Sequence, residues 1–232
     1  MAKIVSLELN RDELNRNIGG GIPENSLILI EGKDGAGKSI LAQRMAYGLL
    51  QHGKTLSYIS SELNTAGFIE QMVSLDYDVK YYMLDERLLF IPMFPFLGNT
   101  RLRPNFLDRL FNTSKIFAND VIIFDTLSFL LVKDNITPES SFDVIKMFKK
   151  LNNLGKTIIF CVDPEHLNVK FLTLLRSVAD VYFELEIKTF AGNIVRVINI
   201  QRFKRPGDNI ITTIPFKVEP GKGLAIEIAS FA

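Results

Sequence analysis

The stretch of sequence that decides the fold is a complete Walker A signature, Gly32-Lys33-Asp34-Gly35-Ala36-Gly37-Lys38-Ser39. In such a loop the glycines allow backbone N–H groups to point inward and surround phosphate groups without obstruction by side chains. Lys38 would supply a positive charge for the β- and γ-phosphates, and the hydroxyl of Ser39 would bind Mg²⁺. The pattern therefore predicts a phosphate-binding loop whose ligands are ATP and Mg²⁺.

The residues on either side of this loop supply the context that the motif requires. Leu27 to Glu31 form a short apolar run typical of a buried strand, and Lys38 to Gln51 carry apolar residues at helical spacing. A strand that enters the loop and a helix that leaves it are the expected surroundings of a P-loop. The N-terminus of that helix would add a partial positive charge, which favours bound phosphate.

Two carboxylates stand where a phosphate site needs acids. Val121 to Phe124 form an apolar run that ends in Asp125, which predicts a Walker B acid that binds Mg²⁺ through a water molecule. Glu62 follows the predicted strand Thr55 to Ser60, and a carboxylate there can orient or deprotonate the attacking water. The residues alone leave Glu62 open, because a surface glutamate at a turn would give the same pattern.

The order of the other elements predicts the fold class. Strands alternate with helices as far as Arg176, which is typical of a mostly parallel α/β sheet flanked by helices. The tail instead contains four predicted strands joined by short turns, and short turns imply antiparallel hairpins at one edge of the sheet. These strands are Asp180 to Ile187, Ile194 to Gln201, Ile210 to Val218 and Leu224 to Ile228.

Four helices are predicted outside the P-loop. Asn64 is a candidate N-cap for one of them, and Pro104 stands where another can begin. Pro164 to Arg176 is predicted as a further helix. The segment Pro138 to Leu154 is amphipathic, and its predicted core face is Phe142, Ile145, Phe148 and Leu151.

Composition narrows the class of protein. A chain of 232 residues, of which 47% are hydrophobic and 23% charged, is expected to form one soluble globular domain over residues 1–232. A net charge of +1 with scattered Lys and Arg argues against a nucleic-acid binder that relies on phosphate neutralisation. Cys161 is the only cysteine, which excludes an internal disulfide and fits a reducing cytosol. No apolar run approaches the ~20 residues that cross a bilayer, so the predicted location is the cytoplasm.

The segment before the P-loop strand resembles a known family. Gly19-Gly20-Gly21-Ile22-Pro23 is similar to the lead-in of the RecA-like KaiC family of ATPases. The order of Walker A, strand-end Glu62, Walker B with Asp125-Thr126 and C-terminal hairpins is also similar, so the resemblance covers almost the whole chain. Within the family, the chain is most similar to the ATP-binding component of the archaeal flagellum (archaellum) motor. The resemblance implies a RecA-like fold and a ring of six subunits.

Two departures from the KaiC pattern bear on activity. KaiC domains carry two adjacent glutamates at the strand end, whereas this chain has Glu62-Leu63, so only the first acid has a counterpart. The resemblance therefore implies slow or no hydrolysis. Where the KaiC autokinase has a Ser-Thr pair as phosphate acceptor, this chain has Arg176-Ser177, which argues against autophosphorylation.

A basic pair near the tail is the candidate contact between subunits. The segment Ile198 to Lys204 resembles the KaiC segment whose two basic residues reach the γ-phosphate held by the next subunit. Arg202 and Lys204 would take that part, and alternate residues on a strand share a face. The alternative is a solvated basic edge strand, which protects a sheet against aggregation.

The resemblance implies a non-motor, ATP-binding regulatory subunit of the archaellum motor complex. Its implied partners are the motor ATPase FlaI and the membrane-anchored scaffold FlaX, through which alone it would reach the membrane. One alternative is an active ring ATPase with Glu62 as catalytic base. Another is a recombinase-like DNA binder, disfavoured because Asp163 to Val169 contains acids and no Lys or Arg. Leu88 to Leu97 is either a buried strand with a proline-shaped loop or an apolar patch for a partner.

Overall fold

The computed structural model describes residues 3–93, 113–128, 131, 138–190 and 193–227. Within these ranges two short 3₁₀ turns, Ser114–Phe117 and Pro164–His166, accompany the regular elements. The regular elements are β1 (Ile4–Val5), α1 (Leu14–Asn17), β2 (Ile22–Pro23), β3 (Leu27–Gly32), α2 (Lys38–Gln51), β4 (Leu56–Ser60), α3 (Thr65–Ser74), α4 (Lys80–Leu84), β5 (Leu88–Pro92), β6 (Val121–Asp125), α5 (Pro138–Asn153), β7 (Thr157–Val162), α6 (Val169–Val178), β8 (Val181–Phe190), β9 (Asn193–Phe203), β10 (Thr213–Glu219) and β11 (Gly223–Ile226).

The described strands other than β1 and β2 form one sheet in the order β11-β10-β9-β8-β3-β7-β6-β4-β5. From β8 to β5 every neighbouring pair is parallel. The last four strands, β8 to β11, pair antiparallel as successive hairpins. The predicted mostly parallel sheet with C-terminal antiparallel hairpins is therefore confirmed.

Side-chain alternation along β3 shows why the sheet is covered on both faces. Ile28 and Ile30 belong to one core cluster, which includes Leu41 and Met45 of α2. Leu27 and Leu29 belong to the other, which contains residues of α5 and α6. Successive residues of a strand face opposite sides of the sheet, and all six residues of β3 are buried. The continuous apolar run before the P-loop is thus the signature of a central strand.

The core face of α5 differs from the prediction at one residue. Phe148 and Leu151 are buried as predicted, but Phe142 is 52% exposed. Each step of three residues along an α-helix drifts about 60° around its axis, so Phe142 lies on the side opposite Leu151. Val144, seven residues before Leu151, returns to nearly the same direction and is buried in its place. The prediction for Phe142 was wrong because it applied one spacing over too many turns.

The predicted helix Pro164 to Arg176 is in fact two elements. A 3₁₀ turn begins after Asp163, whose Oδ1 accepts a hydrogen bond from the Glu165 N–H at 2.9 Å. Asn168 then adopts an extended backbone, and its Oδ1 accepts from the Phe171 N–H at 2.9 Å, which caps α6. Side chains of Asp and Asn compete for backbone N–H groups in this way, so the helix restarts at Val169.

Other sequence predictions are confirmed where the structure describes them. The side chain of Asn64 accepts from the Gly67 N–H at 2.8 Å and caps α3. Leu88 and Phe90 are buried on β5, which agrees with a buried strand over the first part of Leu88 to Leu97. Residues 94–97 and the helix predicted at Pro104 lie outside the described residues. No helix in the described ranges is both long and apolar enough to cross a membrane.

Candidate nucleotide site

The loop between β3 and α2 has the backbone that its glycines predict. Gly35 and Gly37 have φ angles of +73° and +98°, a region that side-chain-bearing residues rarely adopt. A Cβ added at Gly37 would lie 2.9 Å from the Cζ atom of Phe216, so a larger residue would also collide with β10. Glycine at position 37 is therefore required both for the turn and for the close approach of the C-terminal hairpin.

Lys38 is buried inside this loop. Its side chain is 8% exposed, its Nζ donates to the Lys33 carbonyl at 2.9 Å, and it lies 4.0 Å from an Asp163 carboxylate oxygen. Lys33 behaves differently, because its ammonium pairs with Glu165 at 2.7 Å on the surface. Of the two loop lysines, Lys38 is thus the one positioned within the phosphate cradle, with Asp163 as its counter-charge.

Asp125 lies directly beside the first turn of α2. The Ser39 hydroxyl donates to Asp125 Oδ1 at 2.9 Å, and the Tyr58 hydroxyl donates to Oδ2 at 2.7 Å. Burial raises the pKa of the Asp125 carboxyl, and the hydrogen bonds from Tyr58 and Ser39 act against that rise. The peptide bond between Asp125 and Thr126 is cis. The hydrogen bond between Ser39 and Asp125 brings the two predicted magnesium ligands together.

Sheet register explains the position of Glu62. Ser60 is paired with Asp125 across β4 and β6, so the residues that follow each strand emerge side by side. The Thr126 hydroxyl donates to Glu62 Oε1 at 3.1 Å, which orients this carboxylate beside the Walker B strand. Glu62 is therefore at the carboxyl edge of the parallel strands, where ligands of open α/β sheets bind.

The P-loop, Glu62 and Asp125 line one cavity of about 370 Å³. That volume is in the range of small-molecule sites. Its described lining comes from the P-loop, the start of α2, the segment after β4, helix α3, the end of β6 and the C-terminal hairpins. The lining residues are Asp34, Gly35, Gly37, Lys38, Ser39, Ile40, Glu62, Leu63, Gln71, Asp125, Arg196 and Val218.

The basic pair Arg202 and Lys204 lies elsewhere and has partners in its own subunit. Nη1 of Arg202 donates to the carbonyls of Arg176 and Ala179, at the C-terminal end of α6. Lys204 follows the last residue of β9 and pairs with Asp180 at 3.1 Å. Neither lines the cavity, so a contact with nucleotide on a neighbouring subunit stays a prediction.

An ionic contact between buried Glu31 and partly exposed Arg176 connects the P-loop strand to that same helix end. Glu31, the residue before Gly32, is buried and accepts hydrogen bonds from Arg176 Nε and the Tyr182 hydroxyl, both at 2.8 Å. The carbonyl of Arg176 in turn accepts from Arg202. Contacts thus run without a break from the strand that enters the P-loop to the predicted interface residue Arg202.

Sequence reasoning did not assign three of the residues at this site. Asp163 follows the apolar strand β7 as Asp125 ends β6, so the same pattern could have identified it. Tyr58 lies within β4, and apart from its own hydroxyl nothing in the neighbouring sequence marks it as a site residue. Arg196, in the middle of β9, donates from Nε to the Gly35 carbonyl at 2.9 Å, and only the folded hairpin brings the two together. Cys161 is buried on β7, and burial raises the pKa of its thiol well above the usual range.

The fold and this site define a P-loop protein of the RecA-like class. A family model described as "ATPase: KaiC" matches residues 12–229. The archaeal flagellar ATP-binding protein FlaH of Methanocaldococcus jannaschii is 38% identical, over 99% of this chain and 98% of that protein. The FlaH of Methanococcus voltae is 34% identical over 99% of this chain and 100% of its own length.

A solved structure extends the comparison to three dimensions. The crystal structure of the flagellar accessory protein FlaH from Methanocaldococcus jannaschii superimposes with a TM-score of 0.91 at 37% identity. The match covers 98% of this chain and 100% of that one. The chain therefore belongs to the KaiC family of ATPases and, within it, to the FlaH family of archaeal flagellar proteins.

Proposed function

We propose that this protein is an ATP-binding accessory subunit of the archaellum motor complex, in which bound nucleotide controls ring assembly and partner binding. The observation that carries the proposal is the contact between Ser39 and Asp125 beside the buried Lys38. Two separate stretches of chain, the start of α2 and the end of β6, meet there in the arrangement that a triphosphate and its metal need. The two FlaH relatives are named archaeal flagellar ATP-binding proteins, which supports both parts of the proposal, ATP binding and a place in the archaellum.

The donor set at the site fits Mg²⁺ and ATP. Ser39 and Asp125 offer a hydroxyl and a carboxylate 2.9 Å apart, and Mg²⁺ prefers such oxygen ligands together with substrate phosphates. When bound, Mg²⁺ would neutralise phosphate charge. Lys38 and the inward-facing N–H groups of the loop would bind the phosphates themselves. Glu62, oriented by Thr126, would hold a water molecule near the terminal phosphate.

The regulatory part of the proposal concerns a ring of six subunits. A ligand drives assembly only if its bound state interacts better with neighbours, and a γ-phosphate shared between subunits would supply that difference. Arg202 and Lys204 are the proposed contacts on the neighbour. Arg202 contacts the C-terminal end of α6, and Arg176 of that helix binds Glu31 on the P-loop strand, which supports this role. FlaI and FlaX are the proposed partners, and the protein would be cytoplasmic and peripheral to the membrane-embedded motor.

The proposal is tested by the mass of the purified protein in solution. We expect light scattering to show a rise from monomer to hexamer when ATP and Mg²⁺ are added together. Calorimetry on the same sample should show adenine nucleotide binding. Absence of measurable affinity for adenine nucleotides would contradict the proposal, and so would a ring that forms equally well without them.

An active ring ATPase is the second candidate, and the placement of Glu62 in the cavity favours it. If the accessory function is right, steady-state turnover should stay below ~1 s⁻¹, the lower end of ordinary enzymes. Glu62→Gln should reduce that residual rate roughly 100-fold or more while ATP affinity changes little, because glutamine keeps the hydrogen bond from Thr126 but cannot accept a proton.

The matched control for this prediction is Glu70→Gln, an exposed glutamate on α3 that does not line the cavity. Its turnover should equal that of the wild type. Turnover well above the stated limit, abolished by Glu62→Gln alone, would establish the enzyme instead. Equal rates in all three proteins would show that Glu62 takes no part in hydrolysis.

A further inference from the structure

We propose that Arg196 is a second phosphate-binding residue of the P-loop site, supplied by the same subunit as Lys38. This inference rests on the proposed ATP site and deepens it. Neither the Walker motifs nor the predicted interface pair includes Arg196, because it lies in the middle of β9. Its position is set by the fold of the C-terminal hairpins.

The sheet directs Arg196 toward the P-loop. Arg196, Ile198 and Ile200 share one face of β9, since alternate residues of a strand point the same way. Ile198 and Ile200 belong to the core cluster that contains Ala36 and Leu41, so this face is the one against which the P-loop and α2 pack. Arg196 continues that face at the level of the loop itself.

The contacts of Arg196 hold its stem against the loop. Its Nε donates to the Gly35 carbonyl at 2.9 Å, and its Cδ would lie 3.3 Å from a Cβ at Gly37. Within the described part of the chain, its Nη1 and Nη2 groups have no hydrogen-bond acceptor and no ion-pair partner. The guanidinium is therefore anchored at one nitrogen and has its other donors available at the cavity wall.

The charge of the cavity shows what those donors could bind. Among its described lining residues, Asp34, Glu62 and Asp125 are acids, whereas Lys38 and Arg196 are the cations. Lys38 is already partly balanced by Asp163. A triphosphate adds further negative charge, and a planar guanidinium can donate two parallel hydrogen bonds to phosphate oxygens. Arg196 thus supplies the second positive charge that an anionic ligand in this cavity needs.

Two variants separate phosphate binding from mere support of the loop. Arg196→Met removes the charge and every donor but keeps the unbranched stem. Arg196→Gln removes the charge and the Nη1 and Nη2 donors but keeps the contact with the loop, because its side-chain amide nitrogen can replace Nε as the donor to Gly35. If Arg196 binds phosphate, both variants should bind ATP with Mg²⁺ roughly tenfold more weakly or worse, as expected for a lost hydrogen bond to a charged group.

The salt dependence of ATP affinity is a measurement that would not change if Arg196 only supported the loop. ATP affinity, measured by calorimetry over a range of NaCl concentrations, should depend less on salt in both variants, because one charge–charge attraction is missing. Arg16→Met, which removes an exposed arginine that does not line the cavity, should match the wild type. Thermal unfolding without nucleotide checks that each variant is folded.

The possible outcomes are distinct. If Arg196→Gln binds ATP like the wild type while Arg196→Met does not, Arg196 only supports the loop and the inference is wrong. Unchanged affinity in both variants, or weaker binding with an unchanged salt dependence, also overturns it. A wild-type protein that binds no ATP would instead overturn the proposed function itself.

Discussion

Lys38→Ala is expected to abolish ATP binding and ring assembly together. Lys38 is the buried cation of the phosphate cradle, and its removal leaves Asp163 without its counter-charge beside the site. The loss of a charge-assisted contact to phosphate should weaken ATP affinity about 100-fold or more. Calorimetry measures the affinity, and light scattering in the presence of ATP and Mg²⁺ measures the assembly.

Lys33→Ala is the matched control, because it removes a lysine from the same loop. The Lys33 ammonium is exposed and pairs with Glu165, which is exposed as well. Surface pairs of this kind contribute little, so ATP affinity and ring mass should stay close to those of the wild type. Intact Lys38→Ala rings would show that assembly does not depend on nucleotide. Equal damage from both substitutions would point to a general distortion of the loop.

The parts of the site that could be predicted are those that a short stretch of sequence identifies by itself. The P-loop is a contiguous motif, and Asp125 ends an apolar strand, so a short window of sequence contains all that identifies them. Their meeting could also be foreseen, because parallel strands end at the same edge of a sheet. The hydrogen bond from the Ser39 hydroxyl to Asp125 is the observed contact between them.

The parts that could not be predicted depend on distant contacts. Arg196 and Gly35 are 161 positions apart, and no property of β9 alone reveals that β8 lies next to β3 and brings the hairpin to the loop. Asp163 carries the same strand-end pattern as Asp125, but only the folded sheet shows that it faces Lys38. The errors at Phe142 and at the start of α6 arose from helical geometry and from capping by Asn168, where small local effects outweigh the average pattern.

Asp125→Asn is expected to raise the stability of the nucleotide-free protein. Burial raises the pKa of Asp125, so the folded protein holds this proton more tightly than the unfolded chain does. The free energy of unfolding therefore falls as pH rises from the ordinary carboxyl range through the raised pKa. Asparagine has no charge to bury, so the melting temperature of the variant should exceed that of the wild type above this range. Below it, the two temperatures should converge.

The same substitution is expected to remove the stabilisation that Mg²⁺ and ATP give. A ligand at 100 times its Kd stabilises a folded protein by about 2.7 kcal/mol, which raises the melting temperature of a chain this size by roughly 5–10 °C. Asp125→Asn should lose the Mg²⁺-dependent part of that rise, because it removes the proposed ligand. Tyr58→Phe, which deletes one hydrogen bond but keeps the carboxylate, should retain it. A Mg²⁺-dependent rise of wild-type size in Asp125→Asn would show that the metal binds without this carboxylate, and the Walker B assignment would then be wrong.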